Sequence, residues 1–349
     1  VSVRTLVISD LHIGSRLGRD VLRHPEALAV LLDALDGIDR LVLLGDVIEL
    51  AEGRPRQALA AAEPILRAIG ARVGPDRQVV LVPGNHDRAL TRSWARAQGA
   101  ALTPDTLVPP DATALLTEVV GWLAPAPVEV RTPGVWLSSR VWATHGHYLD
   151  RHLLPESAYG LRRARLDRVD RVGPIAYERA GRPSVTWVET LLARLLPRPL
   201  AGLVDGAIDL ARAATVPSGP RRVSTSGLAP LARRVLGFQM QRSANPALAH
   251  VVARLGVEAD WVLYGHVHRN GPRAGDDAAR WSGPGGRPRL ANTGCWIYEP
   301  LLLHRGTPAH PYWPGGAVLL EDEQDPVAVG LLEGVDVAGL HAARPHRAA

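Results

Sequence analysis

The sequence predicts an α/β domain, and three observations carry that prediction. Short apolar, β-branched runs alternate with segments of helical spacing through the first part of the chain. Each run stops at a turn residue followed by aspartate or asparagine, or at aspartate itself. The 349 residues are 46% hydrophobic, which is ample for a large core and allows two or three domains.

Residues 5–9 (TLVIS) end at Asp10, residues 40–44 (RLVLL) at Gly45-Asp46, and residues 78–82 (QVVLV) at Pro83-Gly84-Asn85. Continuous apolar runs of this length bounded by turns read as buried strands. Between them, residues 26–35 and 58–69 read as helices, completing a βαβ alternation. Residues 135–144 (VWLSSRVWAT) read as a hairpin or bent strand leading into His145, and 261–264 (WVLY) as a short strand leading into Gly265-His266. Residues 289–297, 317–321 and 327–332 are strand-like and separated by Gly/Pro-rich turns, which suggests a second sheet packed on the first. A loose tail is expected from about Val335, with 344–349 disordered.

Residues 150–254 break the alternation. They are rich in Arg, Leu and Ala at helical spacing, with repeated prolines and no ligand-like block. They read as a helical insertion capping the mouth of a site. The body is then discontinuous, 1–149 with 255–335, and 336–349 is the tail. Within the insertion, 185–214 is markedly apolar. It reads either as an amphipathic pair packed on the body or as a lid, a dimer surface or a patch for an acyl chain and hence a peripheral membrane contact. Arg162, Arg163, Arg165, Arg168 and Arg171 form either a basic rim or a solvated face.

The formal charge is +5, and all 40 basic residues are arginine. Genome composition accounts for that bias, and arginine also suits phosphate oxygens through its planar fork. The balance fits an anionic substrate but is too modest to indicate nucleic acid, and no basic run is interleaved with aromatics. The single cysteine, Cys295, excludes an internal disulfide, fits a reducing cytoplasm and reads as a small buried filler. No charged segment leading into an apolar run opens the sequence, and no apolar stretch reaches the ~18–20 residues of a membrane span.

Five blocks carry the chemistry: Asp10-Leu11-His12, Gly45-Asp46, Gly84-Asn85-His86-Asp87, His145-Gly146-His147 and Gly265-His266-Val267-His268. They follow predicted strands, where open α/β sheets gather ligands. Asp10 and His12, two apart, point the same way and can grip one cation. Asp46 can bridge two cations, Asn85 offers a carbonyl oxygen, and His145, His266 and His268 offer imidazole nitrogens. This mixed oxygen and nitrogen set suits Mn²⁺, Fe or Zn²⁺ better than Ca²⁺. Two such metals about 3.5–4 Å apart polarise a phosphoryl oxygen and activate water for in-line attack on phosphorus.

These blocks, in this order, resemble the signature of the calcineurin-like metallophosphoesterase superfamily. The resemblance covers about 3–149 and 255–332. It implies two mixed β-sheets between helices, a four-layer αββα fold, with the metals at the sheet ends. It also implies that Asp10, His12, Asp46 and His268 hold the first metal. Asp46 would bridge to a second held by Asn85, His145 and His266. His86 would contact the phosphate and protonate the leaving group, with Asp87 orienting His86 through a hydrogen bond.

The implied function is metal-dependent hydrolysis of a phosphomonoester, phosphodiester or diphosphate by a cytoplasmic enzyme. One alternative is a lipid-linked diphosphate substrate, as for the UDP-diacylglucosamine pyrophosphohydrolases. Those enzymes share a helical insertion and a glutamate at the position of Glu49, but carry arginine where His86 stands. A non-catalytic scaffold binding a protein is the other alternative, and it expects a degenerate block. Several residues keep two readings: Glu49 as a cap or as a residue orienting a metal ligand, Arg88 as a phosphate contact or solvated, His147 as lining the site or structural. Asn292-Thr293-Gly294 reads as structural. His24, His152, His250, His304, His310, His341 and His346 read as solvent-exposed.

Overall fold

The computed structural model describes residues 3–15, 18–52, 54–152, 170–179, 243–299, 303, 307–322, 324–337 and 339. Two sheets dominate it. The first has seven strands in the order β11-β10-β1-β2-β3-β5-β4, where β1 is Arg4–Ile8, β2 Arg40–Leu43, β3 Gln78–Leu81, β4 Thr106–Val108, β5 Val128–Thr132, β10 Gly316–Glu321 and β11 Val327–Gly330. Strands β1, β2, β3 and β5 run parallel, and β4, β10 and β11 are antiparallel to their neighbours. The second sheet has the order β6-β7-β8-β9, with β6 Gly134–Trp136, β7 Val141–Thr144, β8 Trp261–Tyr264 and β9 Arg289–Asn292. Strands β7, β8 and β9 are parallel, and β6 closes a hairpin on β7.

The continuous apolar runs follow from burial on both faces. Side chains alternate across a strand, and each central strand here uses both sides. Leu6, Ile8, Leu41, Leu43, Val79 and Leu81 face helices α1 (Pro25–Ala34), α2 (Pro55–Val73) and α4 (Ala114–Trp122) in one core. Val7, Val42, Leu44, Val80 and Val82 meet Val141, Ala143, Trp261, Leu263 and Ala291 of the second sheet in an inner layer. Trp142, Val262, Tyr264 and Leu290 face outward from the second sheet toward helix α6 (Asn245–Arg254), whose Leu248, Val251 and Val252 cover them. The four layers are helices, sheet, sheet and helix. A short helix α3 (Arg92–Gln98) links β3 to β4, and Ile175–Glu178 forms a single turn, α5.

The structure corrects four expectations. The late strands do not all build the second sheet: β9 does, whereas β10 and β11 return to the first, with Leu319 opposite Leu6. A period of two reports burial but not the partner strand, so the pattern could not choose. The expected insertion contributes its last part, Asn245–Arg254, to the body as the helix covering the second sheet. Tyr177 joins that same core. Val337 is fully buried in the helix-side core and Val335 packs on it, so the body runs past residue 335. His24 and His250 are buried rather than exposed.

The apolar 185–214 segment, Arg162, Arg163, Arg165 and Arg168, His304, His341 and His346, and residues 344–349 lie outside the described residues. Arg171 pairs with Glu258 on the surface. Among the described residues, no helix is long and apolar enough to cross a membrane.

Candidate metal centre

All five blocks sit at the carboxyl ends of parallel strands. Asp10 and His12 follow β1, Asp46 follows β2, Asn85 and His86 follow β3, His145 follows β7, and His266 and His268 follow β8. Backbone bonds continue the ladders into these turns: Asp10 N donates to Gly45 O at 3.0 Å, His12 N to Asp46 O at 2.8 Å, and Gly265 N to His145 O at 3.0 Å. The turns are therefore fixed relative to one another before any ligand arrives.

The turns are also strained. Among the described residues, six non-glycines have positive φ, and five are expected ligands: Asp10 (54°), His12 (42°), Asp46 (51°), His266 (69°) and His268 (60°). A left-handed backbone at a non-glycine residue costs about 1–3 kcal/mol and persists only where its surroundings impose it. Two motif glycines are required by close approach instead. A Cβ on Gly84 would stand 2.3 Å from Asp46 Oδ1, and one on Gly265 would stand 2.5 Å from Asp10 Oδ2.

Asp10 and Asp46 each have one oxygen tied down and one turned to imidazoles. Asp10 Oδ2 accepts from His266 N at 2.9 Å and from the Ser9 hydroxyl. Asp10 Oδ1 lies 3.2 Å from His268 Nε2 and 3.9 Å from His12 Nε2. Asp46 Oδ1 accepts from His86 N at 2.7 Å, and its Oδ2 lies 3.8 Å from His12 Nε2 and 3.1 Å from His145 Nε2. Asn85 Oδ1 is also 3.1 Å from His145 Nε2.

One ring nitrogen each of His12, His145 and His266 is held by a carboxylate or carbonyl. His145 Nδ1 donates to Leu44 O at 3.0 Å, and His12 Nδ1 to Glu49 Oε2 at 2.9 Å. His266 Nε2 meets Asp150 Oδ1 at 2.8 Å. Such partners fix which nitrogen keeps its lone pair for a metal.

The donors fit two cations. Three sets bring their ligand atoms within 4.8 Å of one another: Asp10, His12 and His268; His12, Asp46 and His86; and Asp46, His145 and His266. Asp46 is shared between the two ends, as a bridging carboxylate must be. Asp10 Oδ1 and His12 Nε2 are buried and satisfy no hydrogen bond. An unsatisfied buried polar atom costs about 1–3 kcal/mol, and a cation between these two accounts for both.

Electrostatics point the same way. Burial works against charge throughout, yet His268 and His145 bring Asp10 down to about 2, and His145 holds Asp46 well below the usual carboxylate range. Burial likewise opposes the proton on His145, but Asp46 and Asp10 lift it to about 10. Protons on the imidazoles thus balance the carboxylates when no metal does.

Glu49 takes the orienting role rather than acting only as a cap. Its Oε2 accepts from His12 and its Oε1 from His86 Nδ1 at 2.8 Å, while Oε1 also receives Glu52 N at 2.8 Å. Burial raises its pKa, but the bonds from His12 and His86 bring it down to about 2. In turn His86, despite burial, is lifted to about 9 by Asp46 and Glu49.

The expected hydrogen bond between Asp87 and His86 is absent. Asp87 turns inward, where Oδ2 accepts from Val47 N at 2.7 Å and Oδ1 from Gly84 N at 2.6 Å. Its burial and the neighbouring Asp46 push it up to about 6. Asp87 thus fixes the turns that carry Asp46 and Asn85. Sequence reasoning missed Asp150, which sits in the 3-10 segment His147–His152 and pairs with His266. No spacing rule marks it. It also missed Ser9, whose hydroxyl lies 2.5 Å from Thr293 Oγ1, joining Asp10 to the 292–294 turn. Asn292 completes that structural role by donating to Gly265 O at 2.6 Å. Cys295 is buried and free, as expected of a filler.

A family model described as calcineurin-like phosphoesterase matches residues 3–270. The chain is also similar to a solved dimetal phosphatase from Danio rerio, with 12% identity over 94% of this chain and 99% of the other, at a TM-score of 0.36. Comparison with curated proteins gives no match.

Proposed function

The chain belongs to the calcineurin-like phosphoesterase family, and from that premise we propose that it hydrolyses a phosphate ester by in-line attack of water at a centre of two Mn²⁺ ions. Fe or Zn²⁺ are the alternatives that the same donors admit. One observation carries the reading. Asp46 Oδ2 faces His12 on one side and His145 on the other, so one carboxylate oxygen serves both halves of the donor set. In this reading Asp10, His12, Asp46 and His268 would hold one ion, and Asp46, Asn85, His145 and His266 would hold the other. The ions would polarise a phosphoryl oxygen and supply an activated water.

The remaining steps belong to the chain. His86 packs edge-on against His12, with ring centroids 4.7 Å apart, so it stands beside the first site without being held by the four ligands assigned to it. Glu49 accepts from its Nδ1, which leaves the Nε2 proton for the leaving oxygen. A value near 9 keeps that proton in place at neutral pH, and bound cations would draw it down toward the working range. Asp87 and Asp150 orient backbone and ligand rather than touching substrate. The intact His86 favours a general phosphatase or phosphodiesterase over a lipid-linked diphosphatase.

The test is a screen of the Mn²⁺-loaded protein against aryl mono- and diesters, nucleotides and lipid-linked diphosphates, together with metal analysis. Two equivalents of metal per chain and turnover of one ester class are expected. A protein that takes up no transition metal, or that binds metal and hydrolyses none of these esters, would overturn the reading.

A further inference from the structure

His147 is the one histidine of the five blocks that neither the ligand set nor the proton-donor role absorbs. It opens the 3-10 segment His147–His152, two residues after His145 and just beyond Gly146, whose φ is 104°. Its ring lies 5.5 Å from that of His145 and 4.8 Å from that of Tyr148. It belongs to none of the three groups whose donor atoms converge. It therefore stands beside the second half of the centre, next to His145 and outside the converging donors.

Like His12, it has a buried ring nitrogen with an unmet bond, but unlike His12 it lies outside every converging donor set. His12, His86, His145 and His266 each have a ring nitrogen on a carboxylate or carbonyl. His147 Nδ1 is buried and has no hydrogen-bond partner among the described residues. A native protein keeps such an atom where a ligand or water completes it. As metal ligands His145 and His266 would be neutral, which leaves Arg88 as the cation acting on His147. An anionic oxygen fits that setting better than a cation.

We propose that His147 is a substrate-contacting residue, its Nδ1 donating to a phosphoryl oxygen held over the Asn85–His145–His266 side of the centre. This rests on the phosphoesterase reading above. His86 and His147 then grip the phosphoryl group from opposite ends, one at the leaving oxygen and one at a non-bridging oxygen.

The test compares the full-length protein with His147→Phe, His147→Asn and His147→Gln, all loaded with Mn²⁺. It measures metal content, thermal midpoint and the calorimetric affinity for inorganic phosphate. Phenylalanine removes the unsatisfied nitrogen, so the expected variant keeps two metals and an equal or higher midpoint. Its phosphate affinity falls about tenfold to a hundredfold, the span of one hydrogen bond to a charged group. Asparagine can set a donor near the Nδ1 position and glutamine near Nε2, so asparagine should recover affinity and glutamine should not. Phosphate affinity unchanged in the phenylalanine or glutamine variant overturns the inference, and so does equal loss in all three. If the wild-type protein with metal bound neither binds phosphate nor turns over any ester, the phosphoesterase reading itself has failed, and this inference falls with it.

Discussion

Replacing Glu49 with glutamine tests the proposed link between the metal ligands and the proton donor. The carboxylate is 4% exposed and accepts from two imidazoles at once, His12 at 2.9 Å and His86 at 2.8 Å. An amide of the same shape has one accepting oxygen and one donating nitrogen. One histidine must then lose its acceptor or change tautomer. Charge-assisted hydrogen bonds contribute about 1.5–3 kcal/mol each, and loss of a group that orients a metal ligand typically costs about 10–100-fold in metal affinity or activity.

We expect Mn²⁺ affinity to fall by about that factor through His12. A second effect runs through His86. Its raised pKa keeps it protonated, and Glu49 is one of the groups raising it after Asp46. Without that carboxylate the proton leaves at lower pH, so the alkaline limb of the kcat profile moves to lower pH. Calorimetric Mn²⁺ titration and a pH–rate profile on an alkyl ester measure the two effects separately. An unchanged affinity together with an unchanged alkaline limb would refute the coupling. The Glu49→Asp variant, one methylene shorter, should keep one of the two bonds and lose only one of the two effects.

Other consequences are equally direct. Asp46→Asn and His268→Ala should lower metal content below two per chain and bring turnover to background, as read by elemental analysis and an ester assay. The His86→Ala variant should keep both metals and lose about 10²–10⁴-fold in kcat on an alkyl ester. Its loss on a p-nitrophenyl ester should be much smaller, and equal losses would remove the proton-donor role. Metal uptake should release protons. With His145 raised to about 10, its proton must be displaced at neutral pH, so apparent affinity should climb by up to about tenfold per pH unit until pH approaches 10. The same raised value stabilises the metal-free fold below pH 6.5, and that contribution is lost as pH rises through about 10. Gly84→Ala, which sets a Cβ 2.3 Å from Asp46 Oδ1, should cost about 1–3 kcal/mol in denaturant melts and reduce metal retention.

The donor cluster was legible because each of its residues follows a strand whose apolar run is unmistakable, and a turn residue at a strand end has few purposes in such company. The central strands were legible for the same reason, since burial on both faces leaves no polar interruption. Strand β5 (VEVRT) was not, because it alternates with Glu129 and Arg131, which pair with each other near the sheet margin. The return of β10 to β1 was hidden because pairing across more than three hundred residues leaves no local trace. Asp87 misled because a carboxylate adjacent in sequence to an imidazole suggests contact. The backbone instead turns it toward Val47 and Gly84, and Glu49 reaches His86 from another strand.

The place of β1 in the sheet has a consequence for how the molecule comes into being. Strand β1 carries the first ligands and is also paired with β10, close to the end of the described chain. A ribosome releases Asp10 and His12 long before His266 and His268, and before the strand that flanks β1 on its open side. Domains form from the N-terminus at the pace of synthesis, but here the early half emerges with an unpaired sheet edge and an incomplete set of donors. Metal acquisition thus waits for synthesis past β8, which delivers His266 and His268. A nascent chain stalled before residue 261 should expose that edge to chaperones and hold no paired cations, so capture of the metals reports arrival of the second sheet.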